Sequence, residues 1–465
     1  MENGEENKVM TNDLERMASY VEKHRKLILD TERFIWKHPE IGYKEWQTTQ
    51  YLVEQFEALG YKVTKPKDIT GFIADLDTGK PGPKFAILGE LDSLMCETHP
   101  EADRETKAVH ACGHHCQTTA LLGCAAALSE PGALEGMCGS IRFIAVPAEE
   151  TIDMEFRADL IKKGIIHYNA GKIEYLYRGY FDDVDIAAMV HVMVDDHHLF
   201  HLFKGGNGCI NKHFEFQGVA AHAGVGPWDG VNALYEANIA MTACNALRET
   251  FIDTETMRFH PILTQAGLAA NAIPDVAKMD AYTRAASFEQ MKSLNEKINR
   301  ALAASAAALG GNVLIEDKPG NMPLHCDRSL YAECEDIIAR LFGEHEIEHL
   351  EWSYGSTDMG DISSLIPAIH PEAAGAVGKP HGQDYCISDP EKACINPAKL
   401  LVCLAYRLLS EDAAVAKRVI RDYRPVFASR AEYFKAINDI ELSAQAVDYL
   451  ENGDVVLHYK KNQEE

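Results

Sequence analysis

No apolar run of about 18 residues occurs in the chain, so no transmembrane helix is expected. The opening residues, MENGEENKVM, lack the basic start and apolar stretch of a secretory signal. Basic residues are outnumbered: 45 Lys and Arg stand against 71 Asp and Glu, a formal net charge of -26. Nucleic acid is therefore not an expected partner, because Lys and Arg clusters supply most of the affinity for a phosphate backbone. An anionic membrane surface is disfavoured for the same reason, and the acidity itself means solubility. Three common catalytic signatures are missing: the G-x-S-x-G nucleophile elbow, the Walker loop, and a G-x-G-x-x-G between strand and helix. Gly205-Gly206-Asn207-Gly208 lacks the lysine and following helix of a phosphate loop. The 12 cysteines show no second Cys/His pair at zinc-finger spacing. Without a signal sequence they indicate a reduced, cytoplasmic protein and not a disulfide scaffold.

What is present is material for two domains: 465 residues, 46% of them apolar. Residues 11–37 read as a helix, with Leu14, Met17, Ala18 and Val21 at helical spacing. Three short apolar runs follow, each leading at once into ionisable residues. Phe85 to Leu88 leads into Gly89-Glu90-Leu91-Asp92, Ile141 to Val146 into Pro147-Ala148-Glu149-Glu150, and Ile186 to Val190 into His191. An Ala/Leu-rich helical stretch, Thr118 to Leu128, separates the first two. Buried strands alternating with helices predict an α/β domain with a doubly covered, largely parallel sheet. In such sheets the site lies beyond the carboxyl ends of the strands, where all three polar clusters fall. After the Gly205–Gly208 segment the pattern changes. Residues 211–218 alternate like a half-exposed, edge-like strand, and 230–250 read as a long helix. The expected organisation is a catalytic domain over 1–205 and 323–465, interrupted by an inserted α+β domain over 206–322. Helices near 328–342 and 395–409 belong to the second catalytic part, which ends in a charged extension from about 410.

The densest chemical cluster is His110-Ala111-Cys112-Gly113-His114-His115-Cys116. Gly113 permits a tight turn that aims Cys112 and His114 at one point. A thiolate and an imidazole together suit a borderline divalent ion such as zinc, cobalt or manganese. Glu149 and Glu150, adjacent at a strand end, face different ways and can divide labour between ligand and base. His191 follows a buried strand, and His381 lies in the loop Gly378 to Asp384. Each has an ordinary explanation when taken singly: a helix start, a solvated acidic turn, a core histidine, a Gly/Pro loop. Together they supply one thiol, three imidazoles and two carboxylates, the inventory of a two-metal hydrolytic centre with a general base. A Cys112–His114 nucleophile pair would leave the glutamates and the distant histidines without roles.

The order of motifs resembles the metal-dependent amidohydrolases and metallopeptidases of aminoacylase and carboxypeptidase G type. The similarity is greatest to the branch that hydrolyses indole-acetyl-amino acids, hippurate and aminobenzoyl-glutamate. It runs from His38-Pro39-Glu40-Ile41-Gly42 to about Leu409. It rests on GELDSL at 89–94, HACGHH at 110–115, PAEE at 147–150, FDDVDIAAMVH at 181–191 and GVAAHAGVGPWDGVNAL at 218–234, with NAIP at 271–274, GSTDMGDIS at 355–363 and KPHGQD at 379–384. The resemblance implies Cys112, His114, Glu150, His191 and His381 as ligands of two divalent ions, manganese or zinc first, cobalt or nickel next. It implies Glu149 as the base and Asp92 as support for the metal site. His222, Asn271 and Arg284 then contact the reacting carbonyl or the substrate carboxylate. The resemblance makes 206–322 the lid and dimerisation domain, with His222 and Asn271 expected to serve the partner's site in a homodimer. The implied reaction is cleavage of the amide bond of a small N-acyl or N-aroyl amino acid or dipeptide by a metal-activated water. A metal-dependent deaminase of a small aromatic amine, or a non-catalytic binding protein on the same fold, are the alternatives. Three departures stand out. His115 replaces the usual aspartate, Thr151 to Ala170 forms an insert beside the site, and some fifty residues extend past the usual end.

Overall fold

The computed structural model describes residues 2–461, with side chains from Met10 onward. Met1 and the last four residues of the expected extension lie outside the described residues. The chain forms two compact units. The first takes the chain up to Gly205, with His325–Trp352 and Asp361–Val426. The second takes Gly206–Leu324, Ser353–Gly360 and the described chain from Phe427.

In the first unit the strand Lys84–Glu90 lies between two parallel neighbours, Ser140–Val146 and Ile186–Ala188, with Ala368–Ile369 parallel beyond the latter. Phe72–Asp77 and Val63–Thr64 add two antiparallel strands at the other edge. The sheet is the expected largely parallel one. Its central strands are apolar and buried at almost every position, as a sheet covered on both faces requires. The helix His114–Leu128 is buried throughout, and its apolar run from Ala120 onward fits a helix enclosed on all sides. In-register pairing sets Glu90 opposite Val146, so the two polar clusters leave the sheet at the same level. A second sheet holds Ile347–Leu350, Phe200–Phe203 and Glu372–Val377, with His191–Val194 parallel to the last of these. The helix expected over 11–37 is two, Glu2–Lys23 and Arg25–Trp36. They break at His24, which leaves helical angles and bonds Glu130 through its ring. No single helix among the described residues is long and apolar enough to cross a membrane.

The second unit is a five-stranded antiparallel sheet with the helices Ala233–Ala246 and Phe288–Leu309. Its strand order is Arg258–Gln265, Val276–Ala285, Gly208–Gln217, Asn312–Pro319, Leu442–Gln445. Two expectations are corrected here. Residues 211–218 are not edge-like: their strand is central, paired on both sides. Alternation reports that one face of a strand is covered, and says nothing about its hydrogen-bonding edges. The true edge is Arg258–Gln265, most of whose residues are exposed. The C-terminal extension, expected with the catalytic part, ends in this unit instead. Leu442–Gln445 pairs with Asn312–Pro319, and the Asn312 side chain both donates to Val447 O and accepts from Val447 N. Buried Leu442, Ala446 and Val447 supply the apolar contact that holds the segment there.

Candidate metal centre

Four backbone devices bring the sequence-identified donors together. Gly113 has φ +90°, and a Cβ there would fall 2.0 Å from Val192 Cγ1, so the turn between Cys112 and His114 needs glycine. Ala148 takes a left-handed conformation, φ 58°, which turns the chain sharply before Glu149 and Glu150. His381 is also left-handed, φ 62°, and its N–H donates to Ala111 O at 2.8 Å. His191 opens the strand His191–Val194. The result is three overlapping groups, each with donor atoms within 4.8 Å of one another: Cys112, His114 and His191; Cys112, Glu150 and His381; His114, Glu149 and Glu150. Cys112, His114 and Glu150 each belong to two of these groups, the pattern expected where two neighbouring ions share surroundings.

The rings are oriented from behind. His114 Nδ1 lies 3.1 Å from both Asp92 Oδ1 and the Asp92 carbonyl, which fixes a proton on Nδ1 and turns Nε2 inward. Asp92 Oδ2 also accepts from Glu150 N at 2.9 Å. His191 Nδ1 donates to Val192 O at 2.7 Å, leaving Nε2 3.6 Å from Cys112 Sγ. His381 Nε2 is 3.3 Å from Glu150 Oε1. Glu149 Oε2 lies 3.9 Å from His114 Nε2. Buried His114 Nε2 and Glu150 Oε1 have no hydrogen-bond partner. Orphaned donors facing one space, from a set of one thiol, three imidazoles and two carboxylates, fit divalent metal ions.

The electrostatics agree. Burial alone would lower the His114 pKa, but Cys112, Glu90 and Asp92 overcome it and hold it well above its ordinary value. Burial pushes the Cys112 thiol up, with Glu150 and Glu149 adding to the effect and His114 opposing it. A divalent cation inverts that logic and favours the thiolate. Burial and the His114 charge lower His191.

Three residues around the centre were not singled out from the sequence. Glu90 Oε2 is 3.2 Å from His114 Nε2. Fully buried Lys172 pairs with Glu90, and Gln117 Nε2 donates to it at 2.8 Å. Against the burial that would raise it, Lys172 and the imidazoles keep Glu90 well below the usual carboxylate range. The GELDSL motif contains Glu90 beside Asp92, whereas Lys172 carries no local signal. The third is Arg157, from the insert. The helix Met154–Lys162 buries it completely, and its guanidinium donates to Glu150 O and, at 2.7 Å, to Asn169 O. The insert thus clamps the backbone of the paired glutamates. His115 turns away from the cluster into the core, with Nε2 3.2 Å from buried Glu32 Oε1.

In the second unit, His222 ends one strand of a small ribbon, Ala221–His222 against Ala272–Ile273, and Asn271 just precedes the other, its carbonyl accepting from Ala223 N at 3.0 Å. Exposed His222 accepts at Nδ1 from the N–H groups of Gly224 and Val225, both at 3.1 Å. Arg284 donates to Tyr354 O at 3.0 Å, lies 4.5 Å over the Tyr282 ring, and has a buried Nε without a partner.

Residues 205–309 match the family described as "Peptidase dimerisation domain". Mouse Xaa-Arg dipeptidase is 28% identical over 374 residues, 77% of this chain and 78% of that protein. A p-aminobenzoyl-glutamate hydrolase chain from Escherichia coli is 28% identical over 64% of this chain and 58% of its own length. A Bacillus subtilis structure described as a dinuclear metal-binding peptidase from the M20 family superposes with a TM-score of 0.63 at 20% identity, covering 83% of this chain and 99% of that one. The dimerisation domain and these relatives are those of metal-dependent amidohydrolases and metallopeptidases, the M20 structure among them, and the chain is similar to them. Like these relatives it is a hydrolytic enzyme, with the fold of a catalytic domain plus a dimerisation domain. The Klebsiella pneumoniae aminobenzoyl-glutamate utilization protein shares the fold, with a TM-score of 0.61 at 19% identity over 83% of this chain and 97% of that one.

Proposed function

We propose that this enzyme hydrolyses the amide bond of a small N-acyl or N-aroyl amino acid or dipeptide, with Cys112, His114, Glu150, His191 and His381 holding two divalent ions. The observation that carries the reading is the convergence of these donors beside Glu149, with orphaned buried atoms on His114 and Glu150. Bound there, such ions would supply Lewis-acid polarisation of the amide carbonyl and a water of lowered pKa, about 7. Glu149 takes the proton of that water and passes it to the leaving amine. His222 accepts two backbone N–H bonds at Nδ1, so its proton sits on Nε2 as a donor for the developing oxyanion. Arg284 holds the substrate carboxylate, which its planar fork matches, and Asn271 positions the reacting carbonyl. Relatives named as a dipeptidase, an aminobenzoyl-glutamate hydrolase and an indole-acetyl-aspartic acid hydrolase support this substrate class. Manganese or zinc are the resident ions, with cobalt and nickel able to replace them.

The enzyme works in the cytoplasm as a homodimer. Ile262 and Leu263 are exposed on the edge strand Arg258–Gln265, and such an edge needs a cover, most simply a two-fold partner. His222 and Asn271 serve the partner's centre. The test is a panel of aminobenzoyl-glutamate, hippurate, N-acetyl amino acids, β-alanyl dipeptides and aromatic amines offered to metal-loaded protein. Release of a carboxylic acid with an amino acid supports the reading. Ammonia without an acid product overturns it.

A further inference from the structure

After the strand that begins with His191 the chain reads Asp195-Asp196-His197-His198-Leu199-Phe200-His201. None of these residues has a part in the proposed reaction. The turn gathers three of them: one donor atom each of Asp195, His198 and His201 lies within 4.8 Å of the others. Asp195 uses Oδ1 to hold the turn, accepting from the backbone N–H groups of His197 and His198. Its Oδ2 is left to the rings, 2.6 Å from His201 Nε2 and 3.4 Å from His198 Nδ1.

The far sides of the rings distinguish this cluster from a simple ion pair. His201 Nδ1 lies 3.6 Å from Glu372 Oε2, and His198 Nε2 lies 3.5 Å from Glu348 Oε2. Strand register builds this arrangement, setting Glu348 opposite His201 on one side and Glu372 opposite it on the other. A carboxylate behind an imidazole, with the other ring nitrogen turned to a shared space, is how proteins orient metal-ligating histidines. Both rings have it. Three carboxylates around two imidazoles also leave negative charge for a cation to balance.

We propose that Asp195, His198 and His201 form a third divalent-metal site, separate from the centre of Cys112 and its neighbours. Two imidazoles and one carboxylate without a thiolate suit zinc, cobalt, nickel or copper. Three protein ligands leave a position for water. All three residues are only half-buried, so this ion exchanges with solvent more readily than ions at the Cys112 centre. Glu372 is the cross-strand neighbour of both His201 and His191, which puts the third site one residue along the same sheet row from the centre.

Cobalt titration of the full chain tests this. Cobalt held by a thiolate shows sulfur-to-metal charge-transfer absorption, whereas cobalt held only by imidazole and carboxylate shows visible bands alone. The wild type should take up three ions per chain, one of them without charge transfer. Asp195→Asn and His198→Ala should each remove that ion and leave the charge-transfer band unchanged. Cys112→Ser should do the reverse, abolishing the band and keeping the ion. If the Cys112 centre binds nothing, the proposal still requires one ion that disappears in Asp195→Asn. It is overturned if no ion lacking charge transfer binds, or if both Asp195→Asn and His198→Ala retain it.

Discussion

His114 and His222 are both placed by glycine-containing turns, yet they sit in opposite surroundings. His114 is 1% exposed, with Asp92 at one ring nitrogen and Glu90 and Glu149 at the other. His222 is exposed, and the hydrogen bonds its ring makes among the described residues are two local ones from backbone N–H groups. The same contrast separates the two units. In the candidate donor set His114 is buried, Cys112, Glu150 and His191 are half-buried and His381 is exposed, and Asp92, Glu90, Lys172 and Arg157 brace the set from within one unit. Of the residues proposed to meet substrate, His222 and Asn271 lie at a two-residue ribbon, and Arg284 reaches from the strand Val276–Ala285 to Tyr354 O. A metal centre must be rigid before its ions arrive, because ligand geometry sets affinity. Groups that meet substrate gain from forming their contacts late, when closure excludes water.

The strongest way to break this comparison is to remove the metal. Chelation should abolish activity, and Cys112→Ser, which replaces a soft ligand with a poor one, should sharply reduce metal content measured by elemental analysis. Full activity in metal-free protein would end the metal reading. Next in size, Glu149→Gln should lower kcat by about 10²–10⁴, the range for general-base catalysis, at unchanged metal content. Loss of metal instead would mean that Glu149 and Glu150 have exchanged roles.

His222→Ala should lower kcat by about 10²–10³, as loss of an oxyanion donor does, with metal content intact. Mixing this variant with Glu149→Gln under conditions of subunit exchange then asks which chain His222 serves. Action across the dimer predicts partial recovery, since mixed dimers contain one intact site. No recovery, with exchange shown independently, would place His222 in its own chain's site.

A smaller effect is expected at Arg157. Arg157→Met keeps bulk but releases the Glu150 carbonyl, and should weaken metal binding about 10-fold, the lower end for outer-sphere partners. A direct metal titration reads this, and unchanged affinity would show that the insert does not brace the centre. The smallest concerns Glu236, whose two oxygens have no hydrogen-bond partner and whose pKa burial pushes up to about 8. Below the ordinary value of 4.5 it is neutral folded and unfolded, and its full contribution to stability is present. As pH rises from there to about 8 the unfolded chain ionises first, so that contribution is lost. Glu236→Gln should therefore raise the Tm by a few degrees near about pH 9 and change it little near about pH 5. Parallel Tm profiles for variant and wild type would show that Glu236 is not held neutral.

Much of the centre was legible in the chain because its donors follow buried strands. An apolar run that stops at ionisable residues identifies a strand end, and parallel register then levels Glu90 with Val146. The second unit was less legible. The alternation over 211–218 resembled an edge, although the strand is paired on both sides by residues about 60 to 110 positions away. The tail beyond Phe427 carried no pattern linking it to Asn312–Pro319.

The sequence alone determined the donor types, their places at strand ends and turns, and the family to which they point. These follow from local periodicity, from glycine where a left-handed turn is crowded, and from the chemistry of thiols, imidazoles and carboxylates. Only the tertiary structure decided which groups stand behind those donors. Lys172 reaches Glu90 across 82 residues, and the far sides of the rings of His198 and His201 meet Glu348 and Glu372 from distant strands. Such pairings are fixed by sheet register and packing, which act between parts of the chain that share no local pattern.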